Sequence, residues 1–325
     1  MNNKSVKGSM ISGNPAKELI IFAIPMILGN LFQQFYNIAD SVIVGKFLGP
    51  DALAAVGASN SITTLFVMVA IGTGIGCSVI ISQLFGAGRM KDVKSSISTA
   101  LIAIFAFSLI LSTIGFMLSG NILKWMHTPS DVYEEADKYL KIYFLGFAFL
   151  FMYNAFNAVF NALGDSAKPL GFLIFSSVLN IGLDILFVWK FEWGVAGAAW
   201  ATLIAQAVSA IISFIVLIHK IRRMQCECYD RFSPGLLKKM VGMAIPTVIQ
   251  QSIVSIGLLL IQSVVNRFGS DFLAGYTAAI KIDNLVIVPM VNVGNAVSTF
   301  TAQNIGAGQF DRVKKGYRTG LIMAA

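Results

Sequence analysis

Residues 19–44 read LIIFAIPMILGNLFQQFYNIADSVIV, an apolar run whose one charged residue is Asp40. A bilayer core about 30 Å thick is crossed by roughly 20 mostly apolar residues in a helix, so this run predicts a membrane-spanning helix. The run lacks the strict alternation of apolar and polar residues that is typical of an outer-membrane β-strand. Because it is long enough to span a bilayer, it also differs from the shorter apolar region of a cleavable signal peptide.

The composition of the whole chain agrees with this reading. Its 325 residues are 56% apolar and 12% charged, and the mean hydropathy is +0.75. Soluble domains are about 45–50% apolar and about 25% charged, so disordered chains, secreted disulfide scaffolds and ordinary cytosolic enzymes are excluded. The sequence predicts an all-α polytopic membrane protein with eight complete spans and a ninth that begins near Val313: Leu19–Val44, Leu53–Leu84, Val93–Leu118, Tyr139–Phe160, Pro169–Trp189, Val195–Ile218, Leu237–Val265 and Phe272–Thr301.

Basic residues are unevenly distributed between the two ends of these spans. Seventeen of the 24 lysine and arginine residues gather on the side of the N-terminus, and six lie on the other side. Such residues are enriched in cytoplasmic loops, so we expect a multi-pass protein of the cell membrane with a cytoplasmic N-terminus. The net charge of +8 is then a topology signal. No nucleic-acid partner is expected, since no basic stripe is interleaved with stacking aromatic residues.

The sequence also repeats itself at a shift of 220 residues. QLFGAG at 83–88 matches QNIGAG at 303–308, and the AIP tripeptide at 23–25 recurs at 244–246 with one extra residue of offset. Six spans separate the copies, so both start on the same side, as in the parallel repeats of secondary transporters. We predict an N-terminal lobe of six helices (1–218), a cytoplasmic linker (219–236) and a partial C-terminal lobe (237–325). About 8.5 of twelve helices would be present, and the chain is expected to be C-terminally incomplete.

Charged side chains are costly inside a membrane, so Asp40, Asp184, Lys281 and Asp283 are candidate functional groups. Polar residues at helical spacing form a seam on each of four helices. Seams facing lipid would leave amides and carboxylates unpaired, so we expect them to face inward, toward one another. The seams consist of Asn30, Gln33, Asn37 and Asp40; Asn154, Asn157 and Asn161; Ser177, Asn180 and Asp184; and Thr202, Gln206, Ser209 and Ser213.

Two explanations of these seams remain open. Serine, threonine and asparagine often join membrane helices by hydrogen bonds without any role in transport. Carboxylate and carboxamide oxygens are also hard ligands suited to sodium or a proton, which favours an ion site around Asp40 and Asp184. The second copy has Ile261 at the position of Asp40, so the ion chemistry is predicted to lie in the first copy.

The glycines of Gly72-Thr73-Gly74-Ile75-Gly76 predict close helix packing, because no Lys-Ser/Thr follows them as in a nucleotide loop.

Several motifs resemble the MATE (multidrug and toxic compound extrusion) family. They are Asn14-Pro15 before the first span, QQFYNIADSVIVGKFLGPDALAAVG at 33–57, the QLFGAG and QNIGAG pair, and NALGD at 161–165. The resemblance implies twelve helices in two lobes and the export of organic, often cationic compounds in exchange for sodium or protons. The polar residues are similar to those of the DinF-like prokaryotic branch, whose ion site would correspond to Asp40, Asn157, Asn180, Asp184 and Thr202. Gln250-Gln251 stands where another branch carries a glutamate.

The resemblance therefore implies a cation-coupled multidrug antiporter that works by alternating access. Its partners would be amphiphilic organic cations and the bilayer, it would act as a monomer, and it would need no cofactor beyond the coupling ion. A drug would bind between the lobes, in a cavity formed by Gln33, Asn37, Asn154, Gln251, Ser255 and Lys281. The alternatives are a flippase for a lipid-linked precursor, which would need a more cationic cavity, and a membrane enzyme, for which no nucleophile or metal motif is found.

Overall fold

The computed structural model describes residues 10–126, 128, 130–224, 228–265 and 270–324, apart from the side chain of residue 131 and some side chains within 50–61 and 259–285. The described chain is a bundle of long helices. Their bounds are α1 Pro15–Leu48, α2 Pro50–Gly86, α3 Met90–Trp125, α4 Ser130–Leu145, α5 Phe147–Ala162, α6 Ala167–Asp184, a π-helical segment Ile185–Lys190, α7 Gly194–Arg222, α8 Pro234–Val265, α9 Ser270–Gly306 and α10 Phe310–Ala324.

The predicted spans fall on these helices. Within the described residues, six helices are long and apolar enough to cross a membrane, and the bent pair α4–α5 provides a seventh candidate span. The eighth predicted span lies within α9, and the ninth lies within α10. The all-α polytopic fold is therefore confirmed. The domain boundaries at 218 and 236 stay a prediction, although α7 ends at Arg222 and α8 begins at Pro234.

The fourth predicted span is a bent pair of helices and not a single straight helix. The chain bends by 50° between α4 and α5, at Gly146. A Cβ atom on Gly146 would come within 2.9 Å of the Leu203 side chain, so the missing side chain lets α7 approach the bend. On either side of it, Phe144 and Phe147 are fully buried and pack against Phe66, with ring centroids 5.3 and 5.0 Å away. Aromatic packing therefore stabilises the bend, which no proline marks in the sequence.

Helices α1–α7 form the first lobe, and α8–α10 belong to the second. Contacts between the lobes are reciprocal: α2 packs on α8 while α1 packs on α9, and α3 contacts α8 while α1 contacts α10. The repeat pairs α1 with α8, α2 with α9 and α3 with α10, so each contact has its counterpart in the other copy. This is the parallel two-fold arrangement that the 220-residue shift predicts.

We call the face at which α1 begins and α2 ends the basic face; it also carries the turns at 87–89 and 307–309 and the linker before α8. Here the repeated glycines bring the lobes into backbone contact. Gly86 lies against the main chain of Gln303, and Gly306 lies in the same way against Gln83. Further from this face, Gly72 and Gly76 pack against the backbone of α8, so the prediction of close packing is confirmed. The lobes are thus closed together at the basic face.

Candidate ion site in the first lobe

Two carboxyl groups meet inside the first lobe. Asp40 lies in the part of α1 that is far from the basic face, and Asp184 is the last residue of α6. Their side chains are at hydrogen-bond distance from each other. Asp184 is fully buried, and Asp40 is half-buried. An ionised carboxylate only accepts hydrogen bonds, so two carboxyl groups in contact need a proton or a cation between them.

Asn180 and Thr202 connect Asp184 to the neighbouring helix. Asn180 lies one turn before Asp184 on α6, and its Nδ2 donates to Asp184 Oδ2 at 2.7 Å. Its Oδ1 accepts from the main-chain N–H of Thr202 on α7 at 3.1 Å. Both residues are buried, with 2% and 8% of their surface exposed. These bonds fix the carboxyl group of Asp184 between α6 and α7. We call Asp40, Asn180, Asp184 and Thr202 the carboxylate site.

Three buried side-chain oxygens in this region have no hydrogen-bond partner among the described residues: Asp40 Oδ1, Asp184 Oδ1 and Asn157 Oδ1. Leaving a buried acceptor unpaired costs about 1–3 kcal/mol. Such oxygens are also the ligands that hard cations prefer. Asn157, on α5, pairs with Tyr153 and does not contact the two aspartates. The structure therefore brings together four of the five residues predicted for the ion site.

The helix that carries Asp184 changes its geometry directly after this residue. Residues Ile185–Lys190 form a π-helical segment, whereas the sequence predicts a regular helix to Trp189. Such segments are rare and are frequent at functional sites. No proline or glycine within the segment could have indicated it. The irregular backbone sets Asp184 at a junction between two helical geometries.

Tyrosines that the sequence analysis did not single out surround the carboxylate site. The hydroxyl group of Tyr36, one turn before Asp40, is at hydrogen-bond distance from the Thr202 side chain. Tyr139 is buried, lies within electrostatic range of both aspartates and stacks on Tyr143 with ring centroids 6.3 Å apart. The helical spacing of Tyr36 and Asp40 was the available signal, since residues four apart share a face.

The remaining seam residues are placed differently. On α6 and α7 the seams face inward as predicted, because Ser177, Ser209 and Ser213 are buried. On α1 the side chains of Gln33 and Asn37 are exposed among the described residues, so their inward orientation stays a prediction. They share a face with Asn30, whose Nδ2 donates to Asn292 Oδ1 of α9 at 2.8 Å. Near Asn30 this face of α1 is therefore directed toward the second lobe, whereas Asp40, further along the helix, contacts Asp184 of α6.

The residues predicted to line a drug cavity are distributed over α1, α5, α8 and α9. Asn154 bonds the Leu150 carbonyl of its own helix at 2.9 Å, and Gln251 contacts the sulfur of Met68 at 3.9 Å. Ser255 is buried on α8. The side chain of Lys281 lies outside the described residues, and Asp283 is exposed. A cavity formed by the whole set stays a prediction.

Asp165, the last residue of the NALGD motif, lies at the basic face. It forms ion pairs with Lys220 of α7 at 2.8 Å and with Lys168 of α6 at 3.2 Å. Burial alone would raise the pKa of Asp165, but the hydrogen bond and charge of Lys220 and the charge of Lys168 hold this pKa below its usual value. The motif residue therefore joins α6 and α7 on the side opposite the carboxylate site.

Two separate stretches of the chain match the same protein family. A family model described as MatE matches residues 25–186 and again residues 246–325. The chain belongs to the MATE family. The two matches begin at Pro25 and Pro246, so they also confirm the repeat found in the sequence. The narrower assignment to a DinF-like branch stays a prediction.

Two curated MATE relatives and one solved structure illustrate the similarity. A probable multidrug resistance protein of Bacillus subtilis, YpnP, is 33% identical over 93% of this chain and 67% of its own length. A FAD transporter of Shewanella oneidensis is 23% identical over 94% and 69%. A structure described as the outward-facing conformation of a multidrug resistance MATE transporter is 27% identical, with a TM-score of 0.91, over 98% of this chain and 72% of that one. The Shewanella protein and the solved structure are described as transporters.

Proposed function

We propose that this MATE protein exports small organic molecules by alternating access of its two lobes, driven by sodium or protons that bind at the carboxylate site. The observation that carries the proposal is the contact between Asp40 and Asp184, with a buried, unpaired oxygen on each carboxyl group. The site needs a positive charge between its carboxyl groups and offers oxygen ligands for one. Asn180 and Thr202 hold the ligands in place.

Alternation requires that the ion favour one state of the lobes over the other. Asp40 lies on the same helix as Asn30, which contacts the second lobe. A change in how α1 packs around a bound ion is therefore transmitted to the lobe interface. Substrate bound between the lobes would favour the other state, and the two would compete. The basic face is proposed to be cytoplasmic and the functional unit a monomer in the cell membrane.

The proposed substrates are amphiphilic organic cations, which the names of relatives such as the multidrug resistance protein YpnP support. The flippase alternative needs a cationic cavity. Lys281 is its candidate charge, and its side chain lies outside the described residues, so no observation favours that function. Competition by a polyprenyl pyrophosphate for dye binding would separate the two functions, because only a flippase is expected to show it.

The test is efflux of a fluorescent cationic dye from proteoliposomes under an imposed sodium gradient or an imposed pH gradient. We expect one gradient to drive efflux, and Asp40→Asn and Asp184→Asn each to reduce the driven rate at least about tenfold, since each removes a charge from the ion's surroundings. Asp92→Asn is the matched control, because Asp92 lies at the basic face in an exposed pair with Arg89. Undiminished gradient-driven efflux in both site variants would overturn the ion assignment.

A further inference from the structure

The short segment before α1 crosses from the first lobe to the second. Residues 10–13, which we call the N-terminal strap, continue directly into α1, yet they are bound by side chains of α9 and α10. Met10 is 2% exposed and packs with Leu19 of α1 against Phe300 of α9. The strap is thus a buried connection between lobes at the basic face.

Arg312 of α10 holds the strap by its main chain. Its guanidinium group donates to three strap carbonyls: Met10 O at 3.0 Å, Ser12 O at 3.1 Å and Gly13 O at 2.7 Å. Its Nε donates to Asn304 Oδ1 at 3.0 Å, which orients the group. A planar fork of donors matches this cluster of carbonyls in a way that a lysine ammonium group cannot.

Gln303 joins the strap to a third element. Its Oε1 accepts from Met10 N–H at 2.8 Å, and its Nε2 donates to the carbonyl of Ala162, at the end of α5, at 2.9 Å. Gln303 is fully buried, and its main chain is the surface that Gly86 touches. One glutamine of α9 therefore contacts the strap, α2 and α5 together. Moving α9 away from the first lobe would break these contacts at the same time.

A second strap occupies the equivalent place in the other direction. Residues 229–233 lead into α8 and are bound by α3 of the first lobe. Ser95 Oγ accepts from Asp230 N–H at 3.1 Å, Ser98 Oγ donates to Arg231 O at 2.6 Å, and Thr99 Oγ1 accepts from Ser233 N–H at 3.0 Å. The repeat aligns α3 with α10, so each lobe binds the segment that precedes the first helix of the other. At the position of Arg312, however, the first copy has Asp92.

We propose that Arg312 and Gln303 are gating residues that hold the basic face closed by binding the N-terminal strap. Opening of the basic face breaks the three guanidinium bonds as a unit. Hydrogen bonds to a charged group are worth more than those between neutral groups, so Arg312 controls the ratio of closed to open molecules. This inference deepens the proposed alternation, but it concerns a contact far from the carboxylate site.

The test measures the opening directly and does not depend on knowing the substrate. Spin labels at positions 91 and 311, which are exposed and equivalent in the two copies, report the distance across the basic face in a cysteine-free background. In nanodiscs, Arg312→Ala is expected to raise the ratio of open to closed molecules about tenfold. Arg312→Lys should do nearly the same, because it keeps the charge and loses the fork.

Lys315→Ala is the matched control, since it removes a positive charge from the exposed side of α10 one turn further on. It should leave the distance distribution unchanged. An unchanged distribution in Arg312→Ala overturns the proposal, as does a closed distribution in Arg312→Lys. A lower melting temperature with no longer distance would show a purely structural role and would also overturn it. Undiminished ion-driven efflux in Asp40→Asn and Asp184→Asn would overturn the ion assignment without deciding how Arg312→Ala changes these distances, so the two proposals fail separately.

Discussion

Tyr36 connects α1 to α7 at the carboxylate site. Its position one turn before Asp40 places it on the same face of α1, and its hydroxyl group reaches Thr202 of α7. Thr202 in turn donates from its main chain to Asn180, which holds Asp184. Tyr36 therefore fixes the position of α1, and with it Asp40, relative to the helices that carry Asp184.

The variant Tyr36→Phe should weaken ion binding without unfolding the protein. It removes one hydrogen bond, worth about 0.5–1.5 kcal/mol, and keeps the ring. The ion concentration that half-saturates dye efflux should rise between about two- and tenfold, with the maximal rate retained. Tyr133→Phe is the control, because the Tyr133 hydroxyl donates to Gly120 O at 3.1 Å, away from the site. Equal ion dependence in the two variants would contradict this role of Tyr36.

At the scale of residues, the sequence was most informative about polar side chains, which are costly to bury inside a membrane. Asp184 and Asn180 are recognisable because a carboxylate or an amide in an apolar helix needs a partner, and the structure provides each with the other. The polarity of Tyr36 gives no such signal, since tyrosine side chains are common in apolar helices; only its spacing from Asp40 could have indicated it. Gln33 and Asn37 share the spacing of Asp40 yet are exposed, because helical spacing gives a face but not which neighbour it meets.

The basic-face ends of α2 and α9 are the elements that bring the lobes together. Each ends in a glycine whose missing side chain admits the main chain of the other helix. The reciprocity explains why QxxGAG occurs in both copies: the glutamine and the glycine of one copy are the contact surface for the other. A methyl group at either glycine would meet backbone, which cannot turn aside as a flexible side chain can.

Gly86→Ala should therefore destabilise the closed arrangement of the lobes. Overpacking of this kind costs about 1–3 kcal/mol, so we expect a lower melting temperature and a longer distance between labels at 91 and 311. Gly242→Ala is the control, because Gly242 lies within α8 with open space where its Cβ would be. There the better helix propensity of alanine should stabilise the protein by up to about 1 kcal/mol. If both variants melt like the parent protein, the glycine contact is not needed for closure.

At the scale of elements, the positions of the helices followed from hydropathy and their shapes did not. The break at Gly146 depends on the approach of Leu203 and on the burial of Phe144 and Phe147, which are contacts between distant parts of the chain. The π-helical segment after Asp184 is equally a result of tertiary packing. An apolar run predicts that a helix crosses the membrane, because that depends on length and composition, but bends depend on neighbours.

At the scale of the whole molecule, similar lobes perform different tasks. The first lobe places Asp40 in the carboxylate site, whereas the equivalent Ile261 of α8 is 50% exposed. The second lobe instead supplies Arg312, for which the first has Asp92. The proposed ion site thus lies far from the basic face in one lobe, and the arginine that binds the strap lies at the basic face in the other. Alternating access needs different groups at the two faces, because one change must occur at each face of the membrane.

The face that meets the cytoplasm decides whether the carboxylate site lies nearer the inside or the outside of the cell, and the distribution of lysine and arginine predicts that it is the basic face. Single cysteines in a cysteine-free background test this with a membrane-impermeant maleimide on intact cells. Lys190→Cys, on the opposite face, should be labelled at once, whereas Lys91→Cys should be labelled only after permeabilisation; both positions are exposed. The reverse pattern would place the carboxylate site nearer the cytoplasm and would overturn the predicted topology, although the ion gradient would still set the direction of exchange.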